Sequence, residues 1–222
     1  MKKSTLSFKL MTLLLCGFLT VSCGDDDEEQ LPSLENQLEY FDTIYDLTLG
    51  ASLDAGATGF STTNTHHVQA FLLTDVNQNT GAEKVNLVFY TYSLGASSFK
   101  TGRFEYANFA GLTLAQRTAT YGNKSFFLNS YLVVDLNNDK QLDNTEVVRI
   151  ASGSVNISGT APNYTLDCHV VLENGQTLRA QYSGEFIDIT NDVVDEDAKA
   201  NMRKAPSGIS SALRAPKSLR VE

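Results

Sequence analysis

Asp135, Asn137, Asp139, Gln141, Asp143 and Glu146 set oxygen donors at positions one, three, five, seven, nine and twelve of a twelve-residue stretch. A hard divalent cation such as calcium is wrapped by loops of this kind, with a backbone carbonyl at position seven and a two-pronged carboxylate at position twelve. An ion held there would stabilise the scaffold and take no part in catalysis. The same residues support a second reading, in which Asp and Asn side chains satisfy the backbone of a polar connection between two strands. Both readings predict a loop over residues 135–146.

The spacing resembles the EF-hand calcium loop, and Leu142 matches that loop's apolar eighth position. Lys140 departs from it, because the EF-hand places glycine there for a sharp turn. The flanks are strand-like, so the resemblance implies a calcium loop on a β-scaffold.

No other stretch offers comparable chemistry. His66 and His67 are neighbours, and on a strand they face opposite sides and cannot share an ion. His169 falls on a polar strand face. No GxSxG nucleophile elbow and no glycine-rich phosphate loop is present. Without a nucleophile motif or a paired acid, a hydrolase is disfavoured and a non-enzymatic chain is expected. Tyr90, Tyr92, Phe104 and Tyr106 have the rings to stack on a sugar, but their alternation fits core and strand-pair positions better.

A different kind of chemistry is written near the start. Lys2 and Lys3 precede an apolar run over residues 10–21, too short to cross a bilayer but suited to a signal-peptide core. Leu19-Thr20-Val21-Ser22-Cys23 resembles the lipobox of bacterial lipoproteins. The resemblance implies cleavage before Cys23, lipidation of that cysteine, and firm anchoring through its acyl chains. Cys16 leaves with the signal. Cys168 then has no partner for an intramolecular disulfide and reads as a small buried hydrophobe. The acids Asp25, Asp26, Asp27, Glu28 and Glu29 follow at once. They self-repel and extend as a spacer, and they resemble the signal that exports lipoproteins of the Bacteroidota to the outer cell surface.

Charge narrows the partners. The net charge is −9, and removal of residues 1–22 takes Lys2, Lys3 and Lys9 but no acid. An acidic chain lacks the electrostatic footprint for nucleic acid. With 42% apolar and 19% charged residues it can build a core.

The elements that must position these residues are strands. Period-two alternation marks residues 45–53 and 67–74, while 85–92 and 126–134 are apolar on both faces. Residues 147–157, 163–173 and 177–187 form a three-strand meander. Residues 159–162 turn its first hairpin, and Asn174-Gly175 signals a type I′ turn in its second. Residues 103–106 read as extended, with a weaker strand over 112–120 and no helix between 40 and 190. About eight or nine strands imply an all-β fold, an antiparallel β-sandwich or an open or closed β-barrel. The expected organisation is a signal peptide at 1–22, a lipidated acidic linker at 23–38 and a β-domain at 39–190. A mobile tail at 191–222 follows, with a short helix at 198–204.

The lipobox, acid spacer, Asp-rich loop and strand pattern from Gly153 to Phe186 together resemble small surface lipoproteins of the Bacteroidota. That resemblance implies an outer-membrane chain facing the cell exterior, anchored by acyl chains on Cys23, with a binding or structural role toward a glycan or protein. A lipocalin-like carrier of a hydrophobic ligand is the alternative.

Overall fold

The structure, a computed structural model, describes residues 33–60, 63–77, 79–139, 142–143 and 145–191. The signal segment, Cys23, most of the acidic linker, Lys140, Gln141 and the tail with its expected helix at 198–204 lie outside the described residues.

Ten strands and one helix follow in order: β1 (Gln37–Tyr40), β2 (Thr43–Asp46), β3 (Leu49–Thr58), β4 (His66–Thr74), β5 (Val85–Leu94), β6 (Gly102–Tyr106), α1 (Leu114–Tyr121), β7 (Phe126–Val134), β8 (Val147–Thr160), β9 (Asn163–Leu172) and β10 (Thr177–Asp188). The all-β expectation holds. Successive antiparallel pairings run from β3 through β4, β5, β7, β8 and β9 to β10. The last three residues of β10 pair in parallel with Gly50, Ala51 and Ser52 of β3 and close the ring. Closure removes long open edges, the usual liability of a sheet. β6 wedges between one end of β7 and one end of β8, and the β1–β2 hairpin adds to the first half of β10.

Alternation then decides what lies inside the ring. Phe71 and Leu73 of β4, Leu87 and Phe89 of β5 and Phe127 and Leu132 of β7 join Val155, Ile157, Leu166, Cys168, Leu178 and Phe186 in one buried cluster. Its members come from strands all around the circuit, so the interior is packed with side chains. The opposite faces of β3, β4, β5 and β7 bury a second set, including Ala51, Leu72, Val88, Tyr131 and Val133. Coverage on both faces is why β4 is buried at every position, where a one-faced strand was expected.

Three local expectations are corrected. Residues 112–120 do not form a strand: α1 occupies Leu114–Tyr121. Its start is fixed by a capping box, in which the Thr113 backbone N–H donates to Gln116 Oε1 at 2.8 Å and Gln116 N–H donates to Thr113 Oγ1 at 3.4 Å. Residues 45–53 are not one strand, since the extended run breaks at Leu47 and Thr48. Asn174-Gly175 does turn a hairpin, but only Gly175 has positive φ, 81°. Gly175 N–H donates to the Leu172 carbonyl, and Leu172 N–H donates to that of Gln176, the pattern of a three-residue loop with glycine at its left-handed position. The pair with positive φ at both central positions is Phe41-Asp42, at 52° and 56°, between β1 and β2.

Cys168 sits inside the ring, and burial pushes its thiol up to about 12. It is expected to resist a thiol reagent at pH 8 until denaturant is added, in the full chain carrying Cys16→Ser and Cys23→Ser. A raised thiol pKa stabilises fully below the unfolded value of about 9. That contribution is lost as pH climbs toward about 12, because only the unfolded thiol ionises in that window. Urea melts across this window should therefore fall off less steeply for Cys168→Ala than for the parent.

Candidate functional site

The loop between β7 and β8 is held by its own acids. Asp135 and Glu146, both 6% exposed, stand at its two ends. Glu146 Oε1 accepts from the Leu136 N–H and its Oε2 from the Asp143 N–H, both at 3.2 Å. Asn137 Oδ1 accepts from the Asp139 N–H at 2.7 Å, with Asn138 between them at φ 58°. Asp143 Oδ1 accepts from both the backbone N–H and the hydroxyl of Thr145 at 2.6 Å. Those bonds hold the Asp143 carboxyl below its usual range. Among the described residues, no three His, Cys, Asp or Glu side chains are grouped to hold a metal. In this conformation Asn137, Asp143 and Glu146 serve the turn backbone. Glu146→Gln replaces one accepting oxygen with a donor facing an N–H, and is expected to lower stability by about 1–3 kcal/mol. Urea denaturation at neutral pH measures that loss.

The histidines also serve structure. His66 Nε2 lies 3.0 Å from the Lys124 carbonyl and Nδ1 2.9 Å from Thr65 Oγ1. A carbonyl only accepts, so Nε2 carries a proton; in the neutral ring Nδ1 then accepts from the Thr65 hydroxyl. His67 Nε2 lies 2.7 Å from Asp54 Oδ1. Ser97 and Lys100 have the Ser-x-x-Lys spacing, but both side chains are exposed in the connection from β5 to β6.

The cavity is elsewhere, and sequence reasoning missed it. It has a volume of about 420 Å³ and lies against the outer faces of β4, β5 and β7. The size falls within the range of small-molecule sites, roughly 300–1,000 Å³. Each wall has a local cause. Tyr92 and Phe126 are register partners on β5 and β7, and their rings stack at 4.8 Å and 9°. Phe60, just past β3, stacks on Phe126 at 5.8 Å and meets Phe109 edge-on at 5.6 Å. α1 supplies Arg117 to the lining, while Tyr121, one turn on, packs against Phe109 and Phe126.

The polar part of the lining comes from an irregularity. Between Val88 and Tyr90 the β5–β7 register slips, so Phe89 faces two residues, Asn129 and Ser130. Asn129 takes φ 54°, and Ser130 Oγ accepts from the Tyr90 N–H at 3.0 Å. This is a β-bulge, a device that bends a strand and re-aims a side chain, and it is enriched beside functional sites. Burial pushes the phenols of Tyr90 and Tyr92 above their usual value, so both stay neutral at any ordinary pH.

No family model matches the sequence, and no curated protein or solved structure is similar enough to match.

Proposed function

We propose that the chain is a lipid-anchored, non-enzymatic binding module of the bacterial outer membrane, displayed toward the cell exterior. Its binding site is the aromatic cavity outside the ring. The anchoring half of this reading is supported by the lipobox ending at Cys23 and by the acid spacer after it. The binding half is carried by one observation: aromatic rings of four segments line a single recess together with His66, Arg117 and Asn129. Apolar walls with a few convergent polar groups are what small-ligand sites share. Binding is favoured over catalysis because the described residues of the lining include no carboxylate and no cysteine, and both nitrogens of its histidine are engaged. A hydrophobic-ligand carrier of lipocalin type would hold its cargo inside the barrel, where this chain packs side chains.

Thr58→Trp, which adds an indole at the cavity wall, tests the binding half. Ligand-observed NMR with a mixed set of sugars and aromatic acids should give signals with the parent and not with this variant. Equal signals from both would place binding elsewhere. For the anchor, Cys23→Ala should abolish palmitate labelling in cells, and protease shaving of intact cells should cut the parent chain. Survival of the chain while a known surface protein is cut would sink the outward display. Calcium at residues 135–146 belongs to the same reading, on the strength of the spacing. Millimolar calcium, compared with chelator, should raise the melting temperature of the parent and not of Asp135→Ala Asp139→Ala; equal curves would remove the ion.

A further inference from the structure

We propose that the cavity selects a small organic anion: an aromatic or apolar body against the ring walls, with its acid group on Arg117 and Asn129. This deepens the binding reading above and rests on it.

Among the described residues Arg117 is the only charged one in the lining, on a chain whose net charge is −9. It is half-buried, and among the described residues no carboxylate lies within salt-bridge distance of it. Its guanidinium is already oriented. Nε donates to the Leu112 carbonyl at 3.0 Å, Nη2 donates to the Phe109 carbonyl at 3.4 Å, and Cζ sits 5.2 Å from the Phe109 ring centroid. Those contacts use one edge and one face of the group. The Nη1 hydrogens have no acceptor among the described residues. A planar cation fixed in this way offers its remaining donors to an anion without further loss of side-chain freedom.

Asn129 adds a second, independent polar group. Its backbone is held in the left-handed region by the bulge, and its side chain has no hydrogen-bond partner among the described residues. Left-handed non-glycine residues carry strain and gather at ligand sites. With no acid in the lining to repel it, an anionic group has one cation and one amide to meet, while Phe60, Tyr92, Phe109 and Phe126 take the body. A neutral ligand would leave the guanidinium half-desolvated without a counter-charge, which is unfavourable.

Calorimetric titration of the full chain with three matched probes tests this: 3-phenylpropionate, phenyl phosphate and 3-phenylpropanamide. Both anions should bind, with the amide about tenfold weaker or more. Arg117→Gln should bring the anions down to the level of the amide. Arg117 also braces the loop before α1, so Asn129→Gly provides a variant whose backbone fits glycine; it should weaken the anions several-fold while they keep their preference over the amide, which Arg117 sets. Equal affinity of anions and amide in the parent would overturn the anion preference and leave the cavity reading standing. No heat from any probe would overturn both. Preference for phenyl phosphate over 3-phenylpropionate would assign the acid group as phosphate; the reverse would assign it as carboxylate.

Discussion

Phe71→Ala is expected to produce the largest loss of stability of any single truncation in this chain, about 3–5 kcal/mol. Phe71 stands in the middle of β4 and is 0% exposed. Its ring meets Tyr164 edge-on at 5.3 Å and Phe186 at 5.5 Å, and tilts against Phe99 at 5.5 Å. These partners come from β9, β10 and the connection after β5, so the ring spans the interior from one side of the circuit to the other. The cavity left by alanine would be lined by aromatic rings fixed by their own strands, which limits how far the site can collapse. A domain of this size has about 5–15 kcal/mol of total stability, so roughly a fifth or more would go. Thermal melting followed by circular dichroism should show a fall of roughly 6–20 °C. Phe41→Ala is the control. That ring is 56% exposed on the β1–β2 turn, and its removal should stay within about 0.5 kcal/mol. A loss below about 1 kcal/mol for Phe71→Ala would show that the interior is not packed as described.

The parts of the fold that could be read from sequence are those where one physical rule dominates. Alternation in Tyr164, Leu166, Cys168, Val170 and Leu172 sets a strand face whatever its partners are, and all five are buried in the ring interior. The apolar run 126–134 is β7, residue for residue. What escaped is whatever carries no hydrophobic pattern or depends on partners distant in sequence. α1 has no buried residue, so hydrophobic periodicity had nothing to mark; its signal was the Thr113–Gln116 capping box. Phe41-Asp42 turns a hairpin in a conformation that favours Asn and Gly, because the pairing of β1 with β10 imposes it over local preference. The cavity is the extreme case. It is assembled from residues near 60, 66, 90, 109, 117 and 126–129, and no two of those segments share a sequence pattern. Tyr90 and Tyr92 were expected as strand-pair residues. They are that, and they also form the cavity wall, because a strand covered on both faces has two insides. In the 135–146 loop, ligand spacing and turn chemistry use the same residue types, so sequence could not choose between ion and backbone as their partner.

Gly153→Ala is the second large effect expected, and its cause differs from that of Phe71→Ala: the glycine keeps two strands in register. Gly153 has φ of 110° and faces Val170 across the β8–β9 pair, beside a register slip between Ile150 and Ser152. A Cβ there would lie 2.4 Å from the His169 carbonyl oxygen and 2.6 Å from Val170 Cα. Both are backbone atoms of a paired strand, so neither can swing away. Two costs therefore add: about 1–3 kcal/mol for an L-residue held in the left-handed region, and about 1–3 kcal/mol for overpacking. Gly175 separates the two. It has φ of 81° but no heavy atom within 4 Å of the added methyl position, so Gly175→Ala carries the first cost alone. Urea denaturation should place Gly153→Ala at least about 1 kcal/mol below Gly175→Ala. Equal losses would mean that β8 and β9 separate readily at this point. They cannot separate alone, because Val155, Ile157, Leu166 and Cys168 on these strands belong to the same interior cluster as Phe71. Any slip there would reach β4 through that cluster, and the opposite face of β4 carries His66 in the cavity wall. A small change in binding by Gly153→Ala, measured with the parent as reference, would then report how rigidly the packed interior holds the wall of the site outside it.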